Sequence, residues 1–451
     1  MTINPFFPLE QQGSLAPSGP LDPEEVYRQT RPVDWLKMPD VANAPGNLYA
    51  LVLIPQGSSV KFPLLISSAP VRIEYGHTDS QGVFTSTHVA SQAATGTFED
   101  TLDASDFSHL TSDGHVQCMV RISYQEGSPS IMFSRPVGDT SFSWVSPVRE
   151  ISCNVCNISL GGFTTAMKLM RYFYGKGFPA PFFMFNDNIS LIAVRHLEMT
   201  DFYQAYSFFK GCISLIALPQ IDTSAVMEFQ GMFEDCISLE YIPQLDFSSA
   251  WSVDSLFLGC SALKELPVMD TSSISYFTKF LKGCTSIKEI NVLDTSNGSY
   301  FDEMFSGCIS LRSIPDINTS KATSMTDMFK SCHALAYVPA IHTERIENVN
   351  LFDDSGITAL VDLPISNKTQ SLSFANLKAL TRVTLSCSGW DGCDISFAGT
   401  CISREAYVEF FQSLPAISSP YTITLGDILG GANMLTAEDR AIVMHKGWEL
   451  K

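Results

Sequence analysis

Charge is scarce in this sequence. Asp, Glu, Lys and Arg make up 17% of its 451 residues, against ~25% in an average soluble domain. Cations are the scarcer sign: 28 Lys and Arg face 47 Asp and Glu, a formal net charge of −19. This balance disfavours non-specific nucleic-acid binding, whose affinity comes mainly from cations neutralising phosphates. It also disfavours docking to anionic lipid. No apolar run is long enough for a membrane-spanning helix, and the most apolar stretch, FPAPFFMFNDNISLIAV, is broken by Pro179, Pro181 and Asp187. The opening MTINPFFPLEQQG lacks the basic and apolar segments of a secretory signal, and the closing AIVMHKGWELK is no hydrophobic anchor. Synthesis in a cytoplasm without signal-directed export is therefore the expectation.

Recognisable catalytic motifs are missing too. There is no HExxH, no GxSxG elbow and no GxxxxGK[ST] loop, and the eight histidines are scattered. Cys153-Asn-Val-Cys156 is a single CxxC, whereas a structural zinc site usually has two such pairs. No catalytic residue, metal or cofactor is expected. Carboxylates could in principle form a glycosidase pair. The most regular set, Asp222, Asp246, Asp270 and Asp294, instead follows a fixed spacing and reads as turn hydrogen bonding.

What the sequence does have is a period. Six of its twelve cysteines, Cys212, Cys236, Cys260, Cys284, Cys308 and Cys332, are each 24 residues apart. Three residues before them stand Phe209, Phe233, Phe257, Leu281, Phe305 and Phe329; three after them stand Leu215, Leu239, Leu263, Ile287, Leu311 and Leu335. A proline, an apolar residue, Asp and Thr-Ser follow in most copies, as at Asp270-Thr271-Ser272. A period of this length marks units that bury their apolar faces only by stacking. The extended segment after each cysteine reads as a strand. Thr-Ser reads as a helix N-cap, and SISYFTKFLKGC as about two turns of helix. The cysteines read as small buried side chains. Neighbouring sulfurs near ~4.8 Å apart would be too distant for a disulfide.

The copies GMFEDCISLEYIPQLDFSS and EMFSGCISLRSIPDINTS resemble the BspA-like leucine-rich repeat family over roughly residues 185–385. That resemblance implies a repeat solenoid used for adhesion or recognition, found on bacterial surface proteins and bacteriophage virion proteins. RPVDWLKMPDV (31–41), with GNLYALVLI and VRIEYGHTDSQGVF after it, resembles the front module of phage tail-type proteins. The closing Lys446-Gly447-Trp448 resembles their final module. Tyr75-Gly76-His77-Thr78 departs from that front module's usual Trp-Gly-Asp-Gly turn.

The expected fold is a mainly β N-terminal sandwich, then an α/β leucine-rich repeat solenoid with 24-residue coils, then a small α/β C-terminal cap. The boundaries are a Pro-rich extended virion-attachment arm over 1–45, a β-sandwich over 46–150, the repeat over 151–386 and the cap over 387–451. In the cap, Ser403 and Thr436 are expected to begin helices.

Recognition is expected on the variable positions of the strand side: Tyr241, Lys264, Glu265, Lys288, Glu289, Arg312 and Tyr337. Tyr and Arg suit such a face because they offer large area and directional donors. An ordinary solvated face is the alternative. Phe6, Phe7 and Trp35 are candidates for docking the arm onto a particle; for Phe6 and Phe7 a local clasp onto the chain's own β-module is the alternative. By resemblance, the leading expectation is a non-enzymatic bacteriophage tail fibre or receptor-binding protein. It would contact other virion proteins and a host receptor, with trimeric homo-oligomers by fibre analogy. A head fibre or decoration protein, a bacterial surface adhesin and a polysaccharide depolymerase are the alternatives.

Overall fold

The computed structural model describes residues 21–41, 46–67, 70–90, 96–124, 130–133, 148–154, 157–159, 169–176, 185–200, 202–290, 292–428 and 435–451. The front module begins with β1 (Asn47–Pro55), β2 (Ser59–Ser67), β3 (Arg72–Thr78), β4 (Phe84–Val89), β5 (Gly96–Asp103), β6 (His109–Leu110) and β7 (His115–Ser123). It continues through β8 (Ser130–Phe133), β9 (Val148–Asn154), β10 (Asn157–Ser159), β11 (Leu169–Lys176), β12 (Ala193–Val194) and β13 (Leu197–Thr200). The larger sheet runs β12-β11-β9-β1-β7-β3-β4, with β13 on β11 and β6 on β7; the smaller runs β10-β8-β2-β5.

β1 is apolar on both sides because both of its faces are covered. Leu48, Ala50, Val52 and Ile54 share a core with Phe62, Leu64 and Ile66 of β2. Across that core the rings of Phe62 and Tyr75 meet edge-on, 6.5 Å apart. On the other side Tyr49, Leu51, Leu53 and Met119 pack against Val26, Tyr27, Trp35 and Leu36.

The covering layer comes from residues 21–41. Helix α1 (Pro23–Thr30) starts where Asp22 accepts from Glu24 N at 2.9 Å and Pro occupies the first turn. It stops at Arg31, whose extended backbone precedes Pro32. Arg31 Nε pairs with the fully buried Glu150 at 2.9 Å, and its other nitrogens donate to the carbonyls of Trp35 and Leu36. Gln117 accepts from Leu36 N at 2.6 Å and donates to Asp34 O at 2.7 Å. The Arg-Pro-Val-Asp-Trp-Leu segment is thus a clasp. The extended-arm expectation is corrected for residues 21–41, because the apolar outer face of β1 and β7 needs a cover and this segment supplies it. Residues 1–20, Phe6 and Phe7 among them, lie outside the described residues.

The expectation of an α/β leucine-rich repeat solenoid is also corrected. Among the described residues from 202 to 347 there is no helix and no strand longer than a single bridge. Each 24-residue unit instead carries two residues at positive φ, four positions apart. Examples are Ser255 (55°) with Gly259 (75°), Lys279 (56°) with Gly283 (77°), and Glu303 (54°) with Gly307 (77°). A right-handed helix cannot pass through such residues.

The hydrogen bonds follow from this. The N–H groups of Val253, Ser255, Phe257 and Gly259 donate to Tyr276, Thr278, Phe280 and Lys282 in the next unit. Between them, Leu256, Leu258 and Cys260 donate three residues back within their own unit. The same alternation holds at residues 277–284 and 301–308. What read as helix is a chain of turns that bonds sideways.

Thr-Ser is likewise not a helix cap. Buried Thr223 donates to Asp246 O at 3.0 Å and accepts from Asp246 N at 2.7 Å, joining one unit to the next. Inside, phenylalanine rings stack from unit to unit, as at Phe209–Phe233 (5.6 Å) and Phe233–Phe257 (5.8 Å).

Beyond Ile346 short strands return. Asn348–Val349, Ser371–Ser373, Ile395–Ser396, Thr422–Thr424 and Glu449–Leu450 form one parallel sheet, and Ala359–Ser366 pairs with Arg382–Ser388. Helices α2 (Arg404–Ser413) and α3 (Ala437–Met444) are capped by Ser403 and Thr436. Lys446 Nζ donates to the carbonyls of Phe411, Gln412 and Leu414 at the end of α2, and Trp448 Nε1 donates to Pro415 O at 3.0 Å. Lys-Gly-Trp is therefore a closing latch.

Candidate functional site

Two outward faces of the stacked units present side chains that vary from unit to unit. The first carries the positions read from the sequence. Backbone bonds run along it from Lys264 N to Glu240 O (3.0 Å), Arg312 N to Lys288 O (2.8 Å) and Thr358 N to Ala336 O (3.0 Å). Glu289 bridges Ser313 in parallel register. Lys264, Glu265, Lys288, Glu289 and Arg312 are exposed, Tyr241 is half-buried, and Tyr337 is 69% exposed.

The side chains on this face differ in what they touch. Lys264 pairs with Glu240 in the unit before it and lies 5.4 Å from the centre of the Tyr241 ring. The hydrogen bond to Glu240 holds the Lys264 ammonium above its ordinary pKa. Lys264, Glu240 and Tyr241 are thus brought together and satisfy one another. Tyr337 is not brought to Tyr241; four units separate them, about 19 Å at ~4.8 Å per unit.

Trp35 is placed elsewhere. It is part of the clasp and packs inward in the cluster of Leu51, Leu53 and Met119, 9% exposed, with the Arg31 guanidinium 5.9 Å from its ring. A side chain so covered offers nothing to a partner, so its docking role is corrected to a packing one.

The cysteine column is interior. Cys212, Cys236, Cys260, Cys284, Cys308 and Cys332 are free thiols with no exposed surface. Each donates to the carbonyl of the Phe or Leu column one unit back, from Cys212 to Phe185 O (3.1 Å) through to Cys332 to Phe305 O (3.0 Å). Burial pushes every one of these thiols up, Cys332 to about 12. Thiols held protonated in this way are poor nucleophiles and poor metal ligands.

The aspartate column closes turns: Asp222, Asp246, Asp270 and Asp294 accept from the N–H two residues on, at 2.8–3.1 Å. Asp254, half-buried on the turn side, accepts from Thr278 N at 2.9 Å, and burial raises its carboxyl. Among the described residues no group of three or more His, Cys, Asp or Glu is placed to hold a metal ion. Of the CxxC pair, Cys156 lies outside the described residues.

The second face was not read from the sequence. Tyr203, Met227 and Trp251 occupy equivalent places on three successive units, and Tyr276 and Tyr300 stand one position on in the next two. All but the half-buried Tyr276 are exposed. These positions fall in the segment read as helix, where a 3.6-residue period assigns outward faces differently from a 24-residue register. The 24-residue register that aligns the cysteines also aligns this column.

A protein-family model described as "Mycoplasma protein of unknown function, DUF285" is similar to residues 182–286 and again to residues 251–353. The two matches overlap within the repeat, as expected when a multi-unit pattern can be laid on the array in more than one register. No curated protein matches the chain.

Proposed function

We propose that this chain is a non-enzymatic structural protein of a bacteriophage particle, a tail fibre or receptor-binding component. Its front module holds it to other virion proteins, and its stacked units face the host. One observation carries the reading: the interior of the array repeats while its exterior changes. Cysteine, phenylalanine and threonine columns recur inside. Outside, Glu240 gives way to Lys264 and Lys288, and Tyr203 to Met227 and Trp251. A scaffold of fixed core and varied surface suits recognition, because each unit holds its outward side chains at a set spacing without ordering on binding.

The resemblance of Arg31–Leu36 and Lys446–Trp448 to the end modules of phage tail-type proteins supports the same reading, as does the resemblance of the repeat to BspA-like virion proteins. Virion location and a trimeric assembly are part of the proposal. The test is antibody labelling of purified particles by electron microscopy, with a competition assay for adsorption by the soluble chain. Label at the tail and blocked adsorption are expected. Label on the head with unchanged adsorption replaces this reading by the head-fibre or decoration one, and absence from particles ends both.

A further inference from the structure

Trp251, Tyr276 and Tyr300 form a preformed aromatic stripe on the turn side of the array. The rings of Tyr276 and Tyr300 are stacked, centroids 4.6 Å apart and planes 14° from parallel. Trp251 meets Tyr276 edge-on at 5.3 Å and 78°. Trp251 is 43% exposed and Tyr300 38%. Large aromatics are ordinarily covered, and a cluster left in water marks a contact site.

Backbone bonds hold the stripe in register. Ser275 N donates to Trp251 O at 3.0 Å and Ser299 N to Ser275 O at 2.9 Å, while Ser252, Tyr276 and Tyr300 are bridged in parallel register. Beneath it, the buried rings of Phe277 and Phe301 stack at 5.4 Å.

The surroundings select the ligand. The three segments that build the stripe, Ser249–Ser252, Ser273–Tyr276 and Asn297–Tyr300, contain no charged residue; the nearby carboxylates Asp254 and Asp302 are half-buried and engaged, Asp254 by Thr278 N and Asp302 by Ser324 Oγ and Thr326 N. Ser249, Ser273 and Asn297 are exposed along its edge, and the half-buried Ser275 and Ser299 take the place of Trp251 in the next two units. Lys321, on the following unit, is engaged with Asn297 Oδ1 at 2.6 Å.

Three ligand classes stack on aromatic faces. Nucleobases bring phosphates that need cations, and neither the stripe nor a chain of net charge −19 supplies them. Quaternary ammonium groups are held by enclosing aromatic cages, whereas this stripe is open. A pyranose ring offers a face of C–H bonds, slightly positive against the negative aromatic face, with hydroxyls at its rim. A line of uncharged aromatics edged by hydroxyls matches a neutral sugar.

We propose that this stripe binds a neutral glycan chain. Sugar rings stack on Trp251 and Tyr300, and their hydroxyls bond to Ser273, Ser275 and Ser299, since Ser249 Oγ already donates to Ser224 O (2.7 Å) and Asn297 Nδ2 to Ser272 O (2.6 Å). The proposal rests on the reading of the array as a recognition surface and names its ligand class.

The test is affinity electrophoresis of the full chain in native gels containing dextran, galactan, mannan or xylan. Polygalacturonate and single-stranded DNA serve as charged comparators. Retardation by at least one neutral polymer and by neither charged one is expected. Trp251→Ala and Tyr300→Ala should each weaken it about tenfold, Trp251→Phe should largely restore it, and Val268→Ala, an exposed apolar residue elsewhere on the array, should leave it unchanged. Unchanged thermal melting of the variants keeps a folding defect apart from a binding one. No retardation by any neutral polymer, retardation by the charged ones, or retardation indifferent to Trp251→Ala overturns the proposal. If the soluble chain blocks phage adsorption equally well with and without Trp251, the recognition reading stands and the stripe falls. Glycan binding by a chain absent from particles does the reverse.

Discussion

The thiol of Cys260 donates to the carbonyl oxygen of Phe233, 3.0 Å away in the preceding unit. The same oxygen already accepts from Cys236 N at 3.1 Å, so its two lone pairs serve two successive units. Cys236, Cys284, Cys308 and Cys332 repeat the arrangement. Cysteine fits here because it is small enough for a tight interior bend and still carries a donor.

Cys260→Ala should therefore remove a donor and leave a small void, lowering stability by about 1–2 kcal/mol. Urea unfolding followed by circular dichroism measures it. A midpoint equal to that of the parent chain would show that the thiol serves only as filler.

Two positions in each unit sit at positive φ, and the residues there differ in their suitability. At Gly283 (77°) an added Cβ would lie 3.6 Å from Gly259 Cα, so space is available and only the backbone conformation resists. Gly283→Ala should destabilise by about 1–2 kcal/mol. Ser255→Gly, placing glycine where Gly231 stands one unit earlier, should be neutral or stabilising by up to about 1 kcal/mol. Thermal melts of both variants check the pair of signs; a harmless Gly283→Ala would contradict the turn assignment.

Glu150 has no exposed surface and its carboxylate takes Arg31 Nε and the Tyr27 hydroxyl. Arg31→Ala removes the cation from a buried pair and should cost about 3–5 kcal/mol. Because Arg31 also holds the carbonyls of Trp35 and Leu36, the loss should appear first as protease sensitivity between residues 21 and 41. Limited proteolysis with mass spectrometry tests this, and an intact clasp in the variant would count against it.

Arg404 reaches Asp439 with two hydrogen bonds, at 2.7 and 2.9 Å, and Thr436 N adds a third. The guanidinium, first among these causes, lowers the Asp439 carboxyl to about 2. A carboxyl whose folded pKa is depressed stabilises the fold above its unfolded pKa, ~3.9, and loses that contribution as pH falls through the folded value. The closing module of the parent chain should weaken between about pH 4 and pH 2. Asp439→Asn should be less stable at pH 7 and show a flatter profile across that window. Amide exchange at α2 and α3 as a function of pH reads both effects.

Much of the chain could be read locally. Ser403 and Thr436 are legible as helix starts because a capping oxygen reaches N–H groups only two or three residues away. LYALVLI is legible as a strand because it is a short β-rich run bounded by turn residues, whereas the cover on its second face shows only in the structure. The stretch before each cysteine reads as helix from its spacing but folds as turns. Its apolar spacing satisfies a helical face equally well, while the carbonyls that decide the matter lie about 24 residues further along.

The sequence by itself determined the repeat: its period, its interior columns of cysteine and phenylalanine, and its shortage of charge. These depend on residue type and spacing alone. Only the tertiary structure decided that each unit is a run of turns, that Trp35 is covered, and that Trp251, Tyr276 and Tyr300 line up in water. Those outcomes depend on where backbone N–H groups find acceptors in a neighbouring unit, and no local pattern encodes that choice.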